Sequence, residues 1–172
     1  MDATTIDRAF DKLIQNLDDL VGLYRQLLDL ARKEKQFLIE ANTDRLVECN
    51  SQKDIVLQKI KIADTLRFKH AKELCEKIGA DSENPRLLEI AQRLHGPKGD
   101  QLHNFHSTLE LVIKRIIELN RENEQLARKA INTLNGTMDN IKETLSGKKT
   151  YEKKGTYRSG PENSGNFVSK EA

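Results

Sequence analysis

Two of the four histidines, the two cysteines and one glycine-rich tetrapeptide are the residues whose types and spacing could do chemistry in this chain. His103 and His106 stand three apart, a spacing that on a helix could present two imidazoles to a metal. No Glu-x-x-His pair or cysteine cluster elsewhere completes a ligand set. His106 also falls beside an apolar seam, so both read as solvated or seam-edge side chains. Cys49 and Cys75 are too few and too scattered for a disulfide framework and read as ordinary helix residues. Gly96-Pro97-Lys98-Gly99 superficially resembles a phosphate-binding loop. It lacks a preceding strand and the Gly-x-x-x-x-Gly-Lys-Ser/Thr spacing, and is assigned to a turn. The sequence therefore predicts no enzyme, no metal site and no cofactor. Asn123 is more informative: it occupies an apolar seam, where a buried amide must find partners and fixes register at some cost in stability.

That seam belongs to the stretch Asp100–Leu145, which reads as one long helix. Leu102, Phe105, Leu109, Val112, Ile116, Leu119, Asn123, Leu126 and Ala130 recur at alternating steps of three and four. From Ala127 a second set takes over: Ile131, Leu134, Met138, Ile141 and Leu145. It is offset by one residue from the first seam, roughly 100° around the helix axis.

Composition bounds what can surround this helix. The 172 residues allow one domain with a core, and a third of them are charged, with little aromatic content and no Trp. Long exposed helices have such a composition. With 29 Lys plus Arg against 27 Asp plus Glu, net charge gives no argument for nucleic acid or an anionic membrane. The basic excess is local, with six Lys/Arg and three Glu from Ser146 onward. The start lacks the basic and apolar regions of a signal peptide, and no run of 18 apolar residues is present. The expected setting is a reducing cytoplasm, without membrane insertion.

In chain order, a first helix is predicted from Thr4 or Thr5 to about Ala41. Its seam is Ile6, Phe10, Leu13, Leu17, Leu20, Tyr24, Leu27 and Ala31, widened on both edges. A stripe that broad suits a helix with two neighbours in a bundle. Asn42-Thr43-Asp44 predicts a tight turn, with Thr43 or Asp44 capping a second helix that ends at Gly79. That helix is expected to face the core through Leu46, Val47, Ile55, Val56, Ile60, Ala63, Leu66, Ala71, Leu74 and Ile78, interrupted by Lys53, Asp64 and Arg67. Pro85 opens a short helix to about Leu94, and His95–Gly99 breaks it before the long helix begins near Lys98 or Asp100.

Short connections make sequential helices antiparallel. The expected fold is therefore all-α: an elongated antiparallel three-helix bundle with a short extra helix, a projecting C-terminal amphipathic helix and a disordered basic tail. The helical domain is set at 1–146 and the tail at 147–172, where Lys, Gly, Ser, Asn and Glu replace the apolar period. Length matching leaves the long helix internal partners only to about Leu134 or Asn135. The turns from Met138 to Leu145 then face water with apolar side chains, a mark of an interaction site.

Three segments resemble one family. Asn42-Thr43-Asp44-Arg45-Leu46-Val47 followed by Lys53, then Leu119-Asn120-Arg121-Glu122-Asn123-Glu124-Gln125-Leu126, then Thr150-Tyr151-Glu152-Lys153-Lys154-Gly155 are similar, in order and spacing, to motifs of the FlgN family of flagellar type III export chaperones. The chain departs from that pattern in a longer tail with a second Thr-Tyr at Thr156-Tyr157. The resemblance implies a cytoplasmic chaperone that holds hook–filament junction proteins and presents them to the flagellar export gate and its ATPase-associated components. It implies substrate binding by the C-terminal amphipathic helix, which coincides with Ile131, Leu134, Met138, Ile141 and Leu145. It adds Tyr151 as a partner-binding residue, and Asn120 beside Asn123 as structural polar residues. The rival reading is a coiled-coil structural adaptor or homo-oligomerisation module, in which the second seam pairs with its own copy.

Overall fold

The computed structural model describes residues 3–145. The basic tail, Tyr151 included, lies outside the described residues. The fold is all-α, with helices α1 (Ala3–Ile39), α2 (Thr43–Ile78), α3 (Leu87–Leu94) and α4 (Gly96–Leu145). The chain divides into two compact units between Leu126 and Ala127. This is where the apolar face of the long helix changes, and well ahead of the composition change at Gly147.

The first unit is built around α1, whose apolar stripe is the widest. Leu13, Leu17 and Leu20 are at most 1% exposed, flanked by buried Phe10, Val21, Leu27 and Ala31. Ion pairs and hydrogen bonds fix the direction of its neighbours. Lys12 meets Glu73, Asn16 meets Ala63, Leu30 meets Cys49 and Glu34 meets Lys53. From Lys12 to Leu30 the α2 partners fall from Glu73 to Cys49, so the two are antiparallel, and Glu34 reaches one turn along α2 to Lys53. Asp7 meets Lys98, Ala31 meets Asn123 and Lys35 meets Glu122, so this part of α4 runs parallel to α1. The 2.6 Å hydrogen bond from Lys35 holds the Glu122 carboxyl below its ordinary range.

The chain between helices departs from expectation at two places. Asn42 caps α2, its side-chain oxygen accepting from the Arg45 amide at 3.1 Å, so Thr43 is already helical and neither Thr43 nor Asp44 is the cap. The break after α3 is a single residue, His95, and Gly96–Gly99 forms the first turn of α4 where a longer turn was expected. Pro97 does not prevent this, because first-turn amides lack intrahelical acceptors anyway. Lys98 is thereby committed to α1: its ammonium pairs with Asp7 and stands 5.4 Å from the Phe10 ring centroid. At the other end of α2, Gly79 takes the left-handed conformation (φ 69°) and the Ala80 amide closes on the Cys75 carbonyl at 2.9 Å.

The α2 seam also needs correction. Val47, Ile55 and Leu66, expected inside, are 68%, 54% and 42% exposed. The inward seam runs through buried and half-buried Leu46, Cys49, Lys53, Val56, Ile60, Ala63, Arg67, Ala71, Leu74 and Ile78, with His70, Lys72, Glu73, Cys75 and Lys77 also covered near the helix end. The seam keeps steps of three and four without interruption, but it passes through two cations and a cysteine. Each cation is answered, Arg67 by Asp64 one turn back on α2 and Lys53 by Glu34 of α1, both at 2.7 Å.

The Lys53–Glu34 pair is part of a clasp among three helices. The two side chains are 15% and 13% exposed. The same Glu34 oxygen accepts from Asn123 Nδ2 at 2.8 Å, and that nitrogen also donates to the Ala31 carbonyl at 2.9 Å. Asn123 itself is 4% exposed. Removing one partner of a buried ion pair strands a charge, whereas removing both charges need not. Lys53→Met should therefore lower unfolding free energy by about 3 kcal/mol. The double variant Glu34→Gln/Lys53→Met, which keeps an acceptor for Asn123, should cost less than Lys53→Met alone. Denaturant titration of the two variants measures this; a single variant costing under about 1 kcal/mol would mean the pair is solvated.

Gly99 marks the tightest approach in the unit. A Cβ there would stand 2.5 Å from the Ala91 carbonyl oxygen of α3, a backbone atom that cannot yield. Gly99→Ala should destabilise by about 1–3 kcal/mol through overpacking, against the roughly 1 kcal/mol that helix propensity alone would add in favour of Ala. Thermal unfolding decides the sign, and a raised midpoint would contradict the contact.

Candidate partner-binding helix face

The second unit contains the C-terminal part of α4, which is helical without interruption through Asn135 and Gly136 to Leu145. Its sequence is poor in helix formers, with Asn132, Thr133, Asn135, Gly136, Thr137, Asp139, Asn140 and Thr144 within a few turns. Three hydroxyls reinforce the backbone from outside. Thr133, Thr137 and Thr144 donate to the carbonyls of Lys129, Thr133 and Asn140 at 3.0, 2.9 and 2.8 Å. Lys142 lies 3.8 Å from Asp139 one turn back.

Every described residue from Arg128 to Leu145 is exposed. Burial along α4 therefore ends at half-buried Ala127, about two turns earlier than the expected limit at Leu134 or Asn135. The expectation counted helix lengths, whereas Ala130, the last residue of the first seam, already lies in water. Ile131, Leu134, Met138, Ile141 and Leu145 are 56%, 64%, 55%, 53% and 70% exposed. At 100° per residue they share an arc of about 80°. Large side chains at steps of three and four within so narrow an arc make a ridge that a complementary groove can cover.

The other singled-out residues fall elsewhere. Asn123 is in the clasp, while Asn120, one helical turn earlier in the same motif, is exposed and outside it. Tyr151 lies outside the described residues. His103 is exposed and His106 half-buried, with its Nδ1 3.9 Å from Glu110. Among the described residues no three His, Cys, Asp or Glu side chains gather as a metal group. Cys49 and Cys75 are core residues at 3% and 1% exposure, and burial raises both thiol pKa values, which favours the unreactive protonated form. Among the described residues no helix is long and apolar enough to cross a membrane.

Sequence reasoning missed Glu34, the centre of the clasp, because nothing in the local pattern distinguishes it from neighbouring Lys33 and Lys35. The available signal was its helical phase, since Glu34 follows Leu27, Leu30 and Ala31 by the steps that define a core edge. The two residues that gather on it, Lys53 and Asn123, lie in two of the three segments whose family resemblance is described above.

No curated protein and no solved structure matches the chain. The model of the family described as FlgN protein matches residues 1–159, which takes in all four helices. With a match over nearly its whole length, the chain belongs to the FlgN family of flagellar export chaperones.

Proposed function

We propose that this chain is a cytoplasmic chaperone for hook–filament junction proteins, which it holds through the exposed ridge of α4 and delivers to the flagellar export gate and its ATPase-associated components. The observation that supports this most is the ridge itself: five large apolar side chains, each more than half exposed and sharing one narrow arc, on turns whose other side chains are mostly polar. A helical segment of the client, such as the terminal regions of a junction protein, supplies the groove that covers them.

Magnitudes fit a holding role. Burying five such side chains is worth roughly 7–15 kcal/mol gross, at about 1.5–3 each. Association costs something like 4–15 kcal/mol in lost freedom and ordering. The surplus is therefore modest, and micromolar affinity, about 8 kcal/mol, is reached only where burial is near the top of its range and the cost near the bottom, so small changes in the contact tune holding against release. Met138, unbranched and polarizable, adapts to clients of different shape. Tyr151 and the basic tail are assigned to contacts with the client or export apparatus, where the excess of Lys and Arg steers acidic surfaces.

Calorimetry of the full chain with a junction protein tests the ridge. Leu134→Asp and Ile141→Asp should each weaken binding by at least about tenfold, because a carboxylate would be desolvated in the contact. Circular dichroism confirms that the helix persists; unchanged affinity would remove this face from the site. Sedimentation separates the chaperone from a self-pairing adaptor. A tight constitutive dimer that hides Ile131–Leu145 is the adaptor's outcome, and a 1:1 complex with the client is the chaperone's. Deleting Lys148–Ala172 should slow association several-fold at low salt and leave it nearly unchanged near 1 M, where the screening length is about 3 Å. Equal on-rates at low salt would reduce the tail to a solubilising appendage.

A further inference from the structure

The ridge on α4 has two unlike borders. Ile131, Met138 and Leu145 recur every seven residues, with Leu134 and Ile141 between them at the same interval. This is the spacing of the two seam positions of a coiled coil, and it fixes which residues stand on either side of the seam. On one side are Arg128, Asn135 and Lys142, and on the other Ala130, Thr137 and Thr144, again seven apart. Each row lies about 80° from the local mid-line of the ridge, where side chains flank a helix laid upon it. All six residues are exposed.

The chemistry of the two rows differs. The Thr137 and Thr144 hydroxyls donate to the carbonyls of Thr133 and Asn140, so that border carries neither charge nor an uncommitted donor. The opposite border carries two cations two heptads apart, with an amide midway. Lys142 lies 3.8 Å from Asp139, both side chains being more than 70% exposed, and Asp139 stands about 50° further round the helix, outside the border. Exposed pairs of this kind are worth little, so either cation can exchange its present contact for a carboxylate of a partner.

We infer that the ridge is covered by one amphipathic helix of a different chain, acidic along the edge that faces Arg128 and Lys142 and uncharged along the other. This rests on the ridge being the client contact, as proposed above, and names the class of helix which that contact accepts. A second copy of this chain does not meet the requirement. Paired antiparallel in full overlap, the two basic borders face each other and bring Arg128 of one copy beside Lys142 of the other, a like-charge contact. Paired parallel, the basic border meets the Ala/Thr border of the other copy, and neither cation gains a carboxylate. Asn135 both donates and accepts, so selection falls to the two cations on either side of it.

The test titrates the full-length chain into a fluorescein-labelled three-heptad peptide and follows anisotropy. The peptide has Ile and Leu at its seam positions, Glu along one edge and Gln along the other; its counterpart has Lys in place of Glu. Both are kept at trace concentration, where they do not pair with themselves. The Glu peptide should bind at least about fivefold more tightly at low salt. That preference should vanish near 1 M salt, where the screening length is about 3 Å. Arg128→Glu/Lys142→Glu, at exposed positions, should reverse the order, and tight binding of the Lys peptide would itself show that the ridge is still folded. A Glu preference equally strong in this variant would belong to the basic tail and overturn the acidic edge. Equal binding of the two peptides, lost in Leu134→Asp, would overturn the edge and leave the ridge standing as a contact. No binding of either peptide up to about 1 mM protein would overturn both. A constitutive dimer of the free chain that Ile141→Asp dissolves would give the ridge to a second copy and overturn the inference as well.

Discussion

The Glu34 carboxylate is the constraint on which the bundle's register depends. It draws a lysine from α2 and an amide from α4 onto one oxygen, within a seam whose other members are interchangeable hydrocarbon. Apolar ridges slide by one turn at modest cost, since one leucine packs much like another. A buried charge does not slide, because any other alignment strands it. The clasp therefore specifies which turns of the three helices stand side by side, and leucine packing along α1 supplies the free energy once they do. A hydrogen bond from the Cys49 thiol to the Leu30 carbonyl, 3.3 Å long, sits one turn from the clasp and leaves that polar sulfur satisfied.

This placement gives the long helix two characters. Up to Asn123 its seam is buried, with α1 reaching it at Ala31 and Glu34, and the last fully buried side chain of that series is itself the clasp amide. Past Ala127 nothing in the chain's described residues shelters it, though apolar residues continue at the same spacing. A folded domain thus ends while the pattern that would build more of it goes on. On the function proposed above, that surplus is the part of a core which a client would complete.

Legibility in the sequence followed the same division. The four helices were readable because α1 and the early part of α4 carry strong periodicity, and because Gly79 and the stretch around His95 punctuate the chain with little ambiguity. The α2 face was misread at Val47, Ile55 and Leu66, where the eye follows aliphatic identity; phase would have selected Cys49, Lys53 and Arg67. A charged residue in a seam looks like an interruption until its counter-charge is found on another helix, and no local pattern reveals a partner nineteen residues away. The cap was missed by one residue because Asn42, Thr43 and Asp44 are all competent caps. The exposed ridge was legible from the one-residue offset at Ala127, but where burial stops was not, since that depends on packing and helix lengths alone do not report it.

One consequence lies in the threonines of the last turns. With Thr133, Thr137 and Thr144 bonded back to their own helix, those hydroxyls are already engaged and make few demands on the direction of an incoming chain. On the function proposed above, a client is then selected by whether it offers an apolar furrow of suitable width, with little regard for the order of its residues. Recognition so undemanding would suit a chaperone that holds several unlike cargoes in turn.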